Sequence, residues 1–369
     1  MMHRRTLLTG LAMAPFAGLL AAEPPARIRI AQIGTSHAHA SGKMDALRSL
    51  SDLYEVVGFA EPIASRQAAA QKAKSFAGLK YLTEEEILAD KSIQAVVIET
   101  TLEDSSRAAM AALKAGKHIH LDKPGAEKHA DFVALRRYAE ERKLTVQMGY
   151  MLRYNPGIKL LVRATKEGWF GDIMEIDASM GKLLDVATRK RFAQLPGGGM
   201  YELACHLVDT IVTLMGPPLS VQAFGNATRA PQDTFVDNQL AVLTYPKATV
   251  TIRCNHADPF GGPNRHLTVR GTKGDMEISP LESGTGLLRL DQHRDTIKVC
   301  RKVGDTSVMV AEPRFRKGES AFELEVPKGR YDEEFRDLAR VLRGQAFGWS
   351  AEHDIAVHAT ALRAAGLTP

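Results

Sequence analysis

Between Ile28 and Gly149 short apolar runs alternate with amphipathic stretches, and few folds accept that alternation. The runs are Ile28–Ile33, Tyr54–Ala60, Ala95–Glu99, His118–Leu121 and Thr145–Gly149. Helical patterns fill the gaps: one through Met44, Ala46 and Leu47, an alanine-rich one over Ala64–Phe76, Ser105–Ala115 closed by Gly116, and Ala130–Glu141. A short acidic helix opens at Thr83 with Glu86 three residues on, the pattern of a capping box. Alternating units of this length predict a parallel sheet with helices on both faces. Right-handed crossovers then leave one architecture, a doubly wound α/β sheet over 27–149.

Past Gly149 the pattern changes. A helix Pro156–Glu167 leads through Gly168 and Gly171 to a strand Ile173–Met180. A second helix, Met200–Met215, runs from Gly197-Gly198-Gly199 to Gly216-Pro217-Pro218. Strands follow at Val221–Phe224, Phe235–Tyr245, Ala248–Cys254, His266–Arg270, Asp275–Ile278 and Leu287–Asp291, before two last helices, Tyr331–Leu342 and Glu352–Ala365. Successive strands with tight turns such as Gly271–Gly274 predict an α+β domain over 150–369 with a large, mainly antiparallel open sheet. The stretch Ala311–Gly329 reads as the least structured part. Two domains also suit a chain of 369 residues, which is too long for one ordinary core.

The first residues point to export. Arg4-Arg5 precede an apolar stretch ending at Leu20, followed by Ala21-Ala22. That order predicts a secretory signal peptide of the twin-arginine type over 1–22, and a periplasmic or otherwise exported product. The stretch is too short and too rich in Ala and Gly for a stable membrane span. With a net charge of +5 and no basic run longer than Arg189-Lys190-Arg191, a nucleic-acid partner is not expected. The 3 cysteines, Cys205, Cys254 and Cys300, form no Cys-x-x-Cys pair and no disulfide framework, and read as buried thiols.

In a doubly wound sheet, ligands sit at the carboxyl ends of the strands. The first such end carries Gly34-Thr35-Ser36-His37-Ala38-His39, with Ser36 and His39 where a dinucleotide fingerprint has its second and third glycines. Gly34 suits the tight turn, Ser36 can bond a phosphate, and the helix that follows offers free N–H groups to a pyrophosphate. Glu61, after the second strand, stands where an acid holds the ribose 2′-hydroxyl, which favours NAD over NADP. Ser65 and Arg66 beside it suit a 2′-phosphate instead. Thr35, Thr100, His37 and His39 are further candidates for the cofactor pocket, and the His-x-His spacing is not read as a metal site.

The fourth strand delivers Asp122-Lys123-Pro124 to the same edge. A partly desolvated lysine there would have a lowered pKa and could exchange a proton with an alcohol. Glu202, His206 and Asp209 follow the three glycines at spacings that place them on one helical face. An imidazole oriented by a carboxylate suits proton transfer near neutral pH.

These segments carry a resemblance. Ala115–Pro124, Gly149–Pro156, Gly168–Ile173, Gly197–Gly216, Gly271–Gly274 and Ser350-Ala351-Glu352 together resemble the Gfo/Idh/MocA family over essentially all of the mature chain. The resemblance implies a Rossmann domain, then an open-sheet domain with the substrate between them, and a dimer or tetramer. It implies a nicotinamide cofactor and a sugar or cyclitol substrate. Catalytic roles fall on Lys123, His206 and Glu202, with His206 taking the hydroxyl proton, and substrate contacts on Tyr150, Arg153, Asn155 and Asp209. Asp122, Glu202 and Ser105 stand where many members have Glu, Asp and His.

Export adds a constraint, because free nicotinamide cofactor is not expected outside the cytoplasm. A tightly bound NAD or NADP must then be regenerated in place. A sugar oxidoreductase with a second substrate does this, and so does a glycosidase that oxidises transiently and eliminates. A nucleotide-free binding protein on the same fold is the reading from a different class.

Overall fold

The first half of the chain pairs its apolar runs as expected. In the computed structural model, which describes residues 26–303 and 306–369, five parallel strands form one sheet. They are β1 (Ile28–Ile33), β2 (Tyr54–Ala60), β3 (Ala95–Ile98), β4 (His118–Leu121) and β5 (Val146–Met148), in the order β2-β1-β3-β4-β5. Helices α1 (Ala40–Ser49), α2 (Ala64–Lys72), α3 (Glu84–Ala89), α4 (Leu102–Lys114) and α5 (His129–Glu141) fill the crossovers. The signal segment expected over 1–22 lies outside the described residues.

β3 shows why these runs are continuous rather than alternating. Ala95 and Val97 enter the core on the α1 side, with Ala46 and Leu47, while Val96 and Ile98 enter the core with Ala108 and Ala112 of α4 and Phe132 of α5. Both faces are covered, so both sets of side chains are apolar. α3 opens on the expected capping box: Glu86 N donates to Thr83 Oγ1 at 3.1 Å, and Thr83 N donates to Glu86 Oε2 at 2.8 Å.

The second domain begins with α6 (Pro156–Lys166), β6 (Ile173–Gly181), α7 (Val186–Phe192), α8 (Gly198–Glu202) and α9 (Cys205–Met215). Strands β7 (Ser220–Asn226), β8 (Asn238–Thr244), β9 (Thr249–Asn255), β10 (His266–Gly271), β11 (Gly274–Ile278) and β12 (Thr285–Leu290) follow. Then come β13 (Arg294–Val303), β14 (Thr306–Phe315), β15 (Gly318–Glu323), α10 (Asp332–Leu342) and α11 (Ala351–Ala364). Eight strands form an open sheet in the order β15-β12-β11-β10-β6-β9-β8-β7. Its pairs are antiparallel except β6 with β9. Alternate residues Ile176, Ala178 and Met180 of β6 and Val250 and Ile252 of β9 are buried in the core that holds Leu207 and Ile211 of α9.

The structure departs from the sequence expectation in four places. The expected helix Met200–Met215 is broken at Leu203 and Ala204. Its cause is a competing partner: the Glu202 carbonyl accepts Lys123 Nζ at 2.5 Å, and His206 N turns to Leu203 O at 3.5 Å. Ala311–Gly329, expected to be least structured, supplies part of β14 and all of β15. β13 and β14 form a two-stranded ribbon apart from the sheets, covered at its end where Phe315 joins the core beside Trp169 but elsewhere too open to impose apolar alternation, and Cys300 within it is exposed. Finally, α10 packs back on the parallel sheet. Tyr331, Phe335 and Leu338 join Ile28, Ile30, Leu47 and Tyr54, and Tyr54 Oη donates to Phe335 O at 2.6 Å. Among the described residues no helix is long and apolar enough to cross a membrane.

Candidate active site

Strand order reverses at β1, so the crevice between the ends of β1 and β3 is where a ligand reaches the sheet. Gly34 ends β1 with φ +91°, and a Cβ there would lie 2.6 Å from the Glu99 carbonyl carbon. Only glycine lets the turn pass so close to β3. Ser36 N and His37 N both donate to Glu99 O at 3.1 Å and draw the turn over the strand end.

Glu61 ties the same turn from the other side. It is 1% exposed, and its carboxylate accepts Thr35 N at 2.8 Å, Ile63 N at 2.9 Å and the Thr35 hydroxyl. Both oxygens are therefore engaged within the protein, at the place where the sequence predicts a ribose contact. Arg66 donates to Thr35 O at 3.3 Å.

Beneath the turn lies a buried charge cluster. Asp122 Oδ2 is 2.6 Å from His37 Nδ1 and 2.9 Å from His39 Nδ1, while Oδ1 accepts Lys123 N at 2.8 Å and faces Lys43 Nζ at 3.1 Å. Lys43 Nζ also lies 3.2 Å from Glu99 Oε1 and 2.7 Å from His120 Nε2. Burial works against the Lys43 charge, but Asp122 and Glu99 outweigh it and hold the ammonium well above its ordinary value. Burial likewise opposes an imidazolium at His37, yet Asp122 and Glu99 raise it to about 9. At His39 burial wins and lowers the value.

Lys123 Nζ donates to Glu202 O at 2.5 Å and to Glu202 Oε1 at 2.8 Å. Desolvation would lower the lysine, as the sequence predicts, but the Glu202 charge outweighs it and the ammonium is pushed up to about 12. Burial would raise Glu202, and Lys123 instead brings it down to about 2. The pair is an ion pair, not a neutral amine beside an acid. His206, in the first turn of α9, is 2% exposed, and burial pushes it well below the usual imidazole value. Its Nδ1 has no partner, and its ring meets Tyr150 edge-on at 5.9 Å.

A cavity of about 170 Å³ opens beside the Lys123–Glu202 pair, and His206, Tyr150 and Glu61 do not line it. Ser36, His37, Thr100, Asp122, Lys123 and Glu202 line it, with Arg191, Phe192 and Leu195 opposite. Within the basic run, Arg189 is spent on Asp233 and Asp237, and Arg191 reaches the cavity. Ser36 Oγ is buried without a partner. An unpartnered hydroxyl, a turn that any Cβ would block and a lysine at the next strand end fit a dinucleotide. Ser36, Thr100 and Lys123 would hold it.

Three residues expected near substrate lie elsewhere. Arg153 Nη2 bonds Asp209 Oδ1 at 2.6 Å and Asp354 Oδ1 at 2.7 Å, with His353 Nε2 3.1 Å from Asp209. Arg153 and Asp209 line a second cavity of about 440 Å³ with Lys159, Arg163 and Trp349. Asn155 caps α6, accepting Gly157 N at 2.9 Å and Ile158 N at 3.1 Å. Sequence reasoning missed Lys43 and Glu99, whose only signal is a charge at a position that periodicity places inside. It also assigned no metal ligands, whereas His37 Nδ1, His39 Nδ1 and Asp122 Oδ2 lie within 4.8 Å of one another.

Comparison with known proteins matches two profiles. Residues 28–150 match an oxidoreductase family with an NAD-binding Rossmann fold, and residues 158–277 match the GFO/IDH/MocA C-terminal domain. An uncharacterized oxidoreductase of Schizosaccharomyces pombe is 26% identical over 56% of this chain, and the match spans 60% of that relative's length. The scyllo-inositol 2-dehydrogenase (NADP(+)) of Bacillus subtilis is 25% identical over 74% of this chain and 76% of its own. The WlbA dehydrogenase of Bordetella pertussis, solved with NADH and UDP-GlcNAcA, shares the fold with a TM-score of 0.71 at 18% identity, covering 92% of this chain and 96% of its own.

Proposed function

The chain belongs to the Gfo/Idh/MocA oxidoreductase family, and on that premise we propose that it is an exported NAD(P)-dependent enzyme acting on a hydroxyl of a sugar or cyclitol. The observation that carries this reading is Lys123, held by Glu202 at 2.8 Å at a strand end that shares its cavity with the β1 turn. Relatives named for scyllo-inositol and crystallised with a nucleotide sugar support the substrate class. Arg4-Arg5 and the apolar stretch after them support export.

Bound NAD(P)+ supplies the acceptor for the hydride that leaves the substrate carbon. The Lys123 ammonium donates a hydrogen bond to the reacting oxygen and stabilises negative charge there. Glu202 keeps that ammonium charged and in place. His206, neutral and unpartnered at Nδ1, takes the hydroxyl proton, so the alcohol becomes a carbonyl and the proton leaves through the imidazole. The Glu61 carboxylate, which accepts Thr35 N and Ile63 N at the base of the turn, favours NAD over a nucleotide that carries a 2′-phosphate. Outside the cytoplasm a tightly held cofactor would be regenerated in place by a second sugar substrate. Self-association would use the edge strand β7, on which Phe224 is 55% exposed, with Leu219, just before the strand, 71% exposed.

Denaturing the purified protein and analysing the supernatant tests the proposal. Release of about one NAD(H) per chain, and sugar oxidation coupled to reduction of a second sugar, are the expected results. A protein that neither releases nor binds a nicotinamide nucleotide overturns it. Aryl-glycoside cleavage without net oxidation replaces it with the transient-oxidation glycosidase.

A further inference from the structure

His37 and His39 leave the end of β1 and Asp122 leaves the end of β4, yet both imidazoles aim Nδ1 at one carboxylate oxygen. We propose that these three residues bind one divalent transition-metal ion, of the Zn²⁺ class, whose remaining coordination positions open into the Lys123 cavity. This goes beyond the oxidoreductase reading, which needs no metal.

Three observations carry it. First, the donor set is right. Two imidazoles and one carboxylate bind zinc at catalytic sites and ferrous iron in facial triads, whereas Mg²⁺ and Ca²⁺ prefer oxygen alone. Ligand atoms about 2.0–2.2 Å from a zinc ion stand roughly 3–3.5 Å apart around it. His37 Nδ1 and His39 Nδ1 already lie 2.6 and 2.9 Å from Oδ2, so opening the cluster by up to about 0.9 Å at His37 and about 0.6 Å at His39 admits the ion.

Second, the carboxylate is braced for ligation. Oδ1 is taken by Lys123 N at 2.8 Å and Lys43 Nζ at 3.1 Å, which leaves Oδ2 as the oxygen to offer. Such outer partners orient metal ligands. Third, the cluster is rich in negative charge. Asp122, Glu99 and Glu202 face two lysines, Lys43 and Lys123, and the His37 imidazole, whose Nδ1 a metal ion would reach in place of a proton. Both Glu99 oxygens lack a well-formed hydrogen bond. A bound cation compensates buried negative charge. His37 and Asp122 line the cavity beside the unpartnered Ser36 hydroxyl, so an oxygen ligand on the ion would meet a hydrogen-bond partner.

The test uses the metal-stripped mature protein titrated with Zn²⁺ alone by calorimetry, with metal content measured after dialysis. One ion per chain is expected, and Co²⁺ in its place should give visible bands of a low-symmetry nitrogen–oxygen site. Loss of even an outer partner weakens metal sites about 10–100-fold, so His39→Asn and His37→Asn should each weaken binding at least about 100-fold. Thermal unfolding confirms that the variants fold; should one fail, the other and the wild-type Co²⁺ spectrum decide. No stoichiometric Zn²⁺ binding, or equal affinity in folded variants, overturns the proposal and leaves a proton on His37 as the compensating charge. Nicotinamide binding on the same samples keeps the two proposals apart: nucleotide without zinc overturns only the metal site, and zinc without nucleotide only the oxidoreductase.

Discussion

Two buried charge clusters meet at α9, and they are built by opposite rules. Around Arg153 the pairing is closed. Asp209 Oδ1 and Oδ2 lie 2.6 and 3.0 Å from Arg153, Asp354 Oδ1 lies 2.7 Å from it, and Asp354 Oδ2 lies 3.0 Å from Arg136. Two guanidinium groups answer two carboxylates in charge, although Arg153 Nη1, Arg136 Nε and Asp354 Oδ2 make no hydrogen bond, and the face of Arg153 is covered by the rings of Trp349 at 4.4 Å and Tyr150 at 4.9 Å. Around Lys123 the pairing is open: two lysines and the His37 imidazole face three carboxylates, and Ser36 Oγ, His206 Nδ1 and both Glu99 oxygens lack hydrogen bonds. Both clusters leave buried polar atoms without hydrogen bonds, but the Arg153 cluster ties α5, α9 and α11 together through its ion pairs, while the Lys123 cluster lines the crevice at the strand ends where a ligand reaches the sheet.

Substitution should separate the two. Lys123→Ala is expected to lower turnover about 10²–10³-fold, the usual contribution of a positioned donor that stabilises developing negative charge. The urea midpoint should move less than in the next variant. Arg153→Ala leaves Asp209 and Asp354 buried without their main partner, which costs about 3–5 kcal/mol of stability. Its folded fraction should keep kcat/KM within about threefold of wild type, read from equilibrium unfolding and steady-state rates on one preparation. Large loss of activity without loss of stability in Arg153→Ala would move the active site to the other cluster.

The parallel half of the fold is legible in the sequence because burial on both faces writes each strand as an unbroken apolar run, as in Ala95–Ile98. The ribbon β13–β14 is not, because only its Phe315 end reaches the core and nothing along the rest enforces a period. Position along the sheet edge is legible too: a strand end dictates where Gly34 and Lys123 emerge. Partners are not. Glu61 turns inward because Thr35 N and Ile63 N need an acceptor, and the α8–α9 break follows from a contact between residues 79 apart in sequence. Periodicity encodes neither. His37 and His39 stand out in the sequence, but their convergence needs Asp122 from another strand.

The ion pair itself predicts a pH signature. Glu202 is held at about 2, below its ordinary value of 4.5, so the stability it contributes is complete above 4.5 and is lost as pH falls toward 2. In Glu202→Gln that acid-side loss disappears from the urea midpoints. Lys123 then faces burial without its main counter-charge and releases its proton well below about 12. The alkaline limb of the pH–rate profile should move to lower pH by at least one unit, roughly a tenfold change in proton affinity. An unmoved limb would show that Lys123 is not the group whose charge the reaction uses.

The smallest effect is the most diagnostic of how far the open cluster extends. The family resemblance implies a place near substrate for Asn155, yet its Oδ1 accepts the first free N–H groups of α6 and its Nδ2 donates to Glu282 O at 3.3 Å. Both ends of the amide are engaged, as in the closed cluster. Asn155→Ala should therefore cost about 1 kcal/mol, the ordinary worth of a helix cap, and leave the KM for the sugar within about twofold. A cap acts on stability alone, because it touches neither Lys123 nor the cavity that Lys123 lines. A several-fold rise in KM with an unchanged unfolding midpoint would reverse the assignment and carry the open cluster across the domain junction to α6.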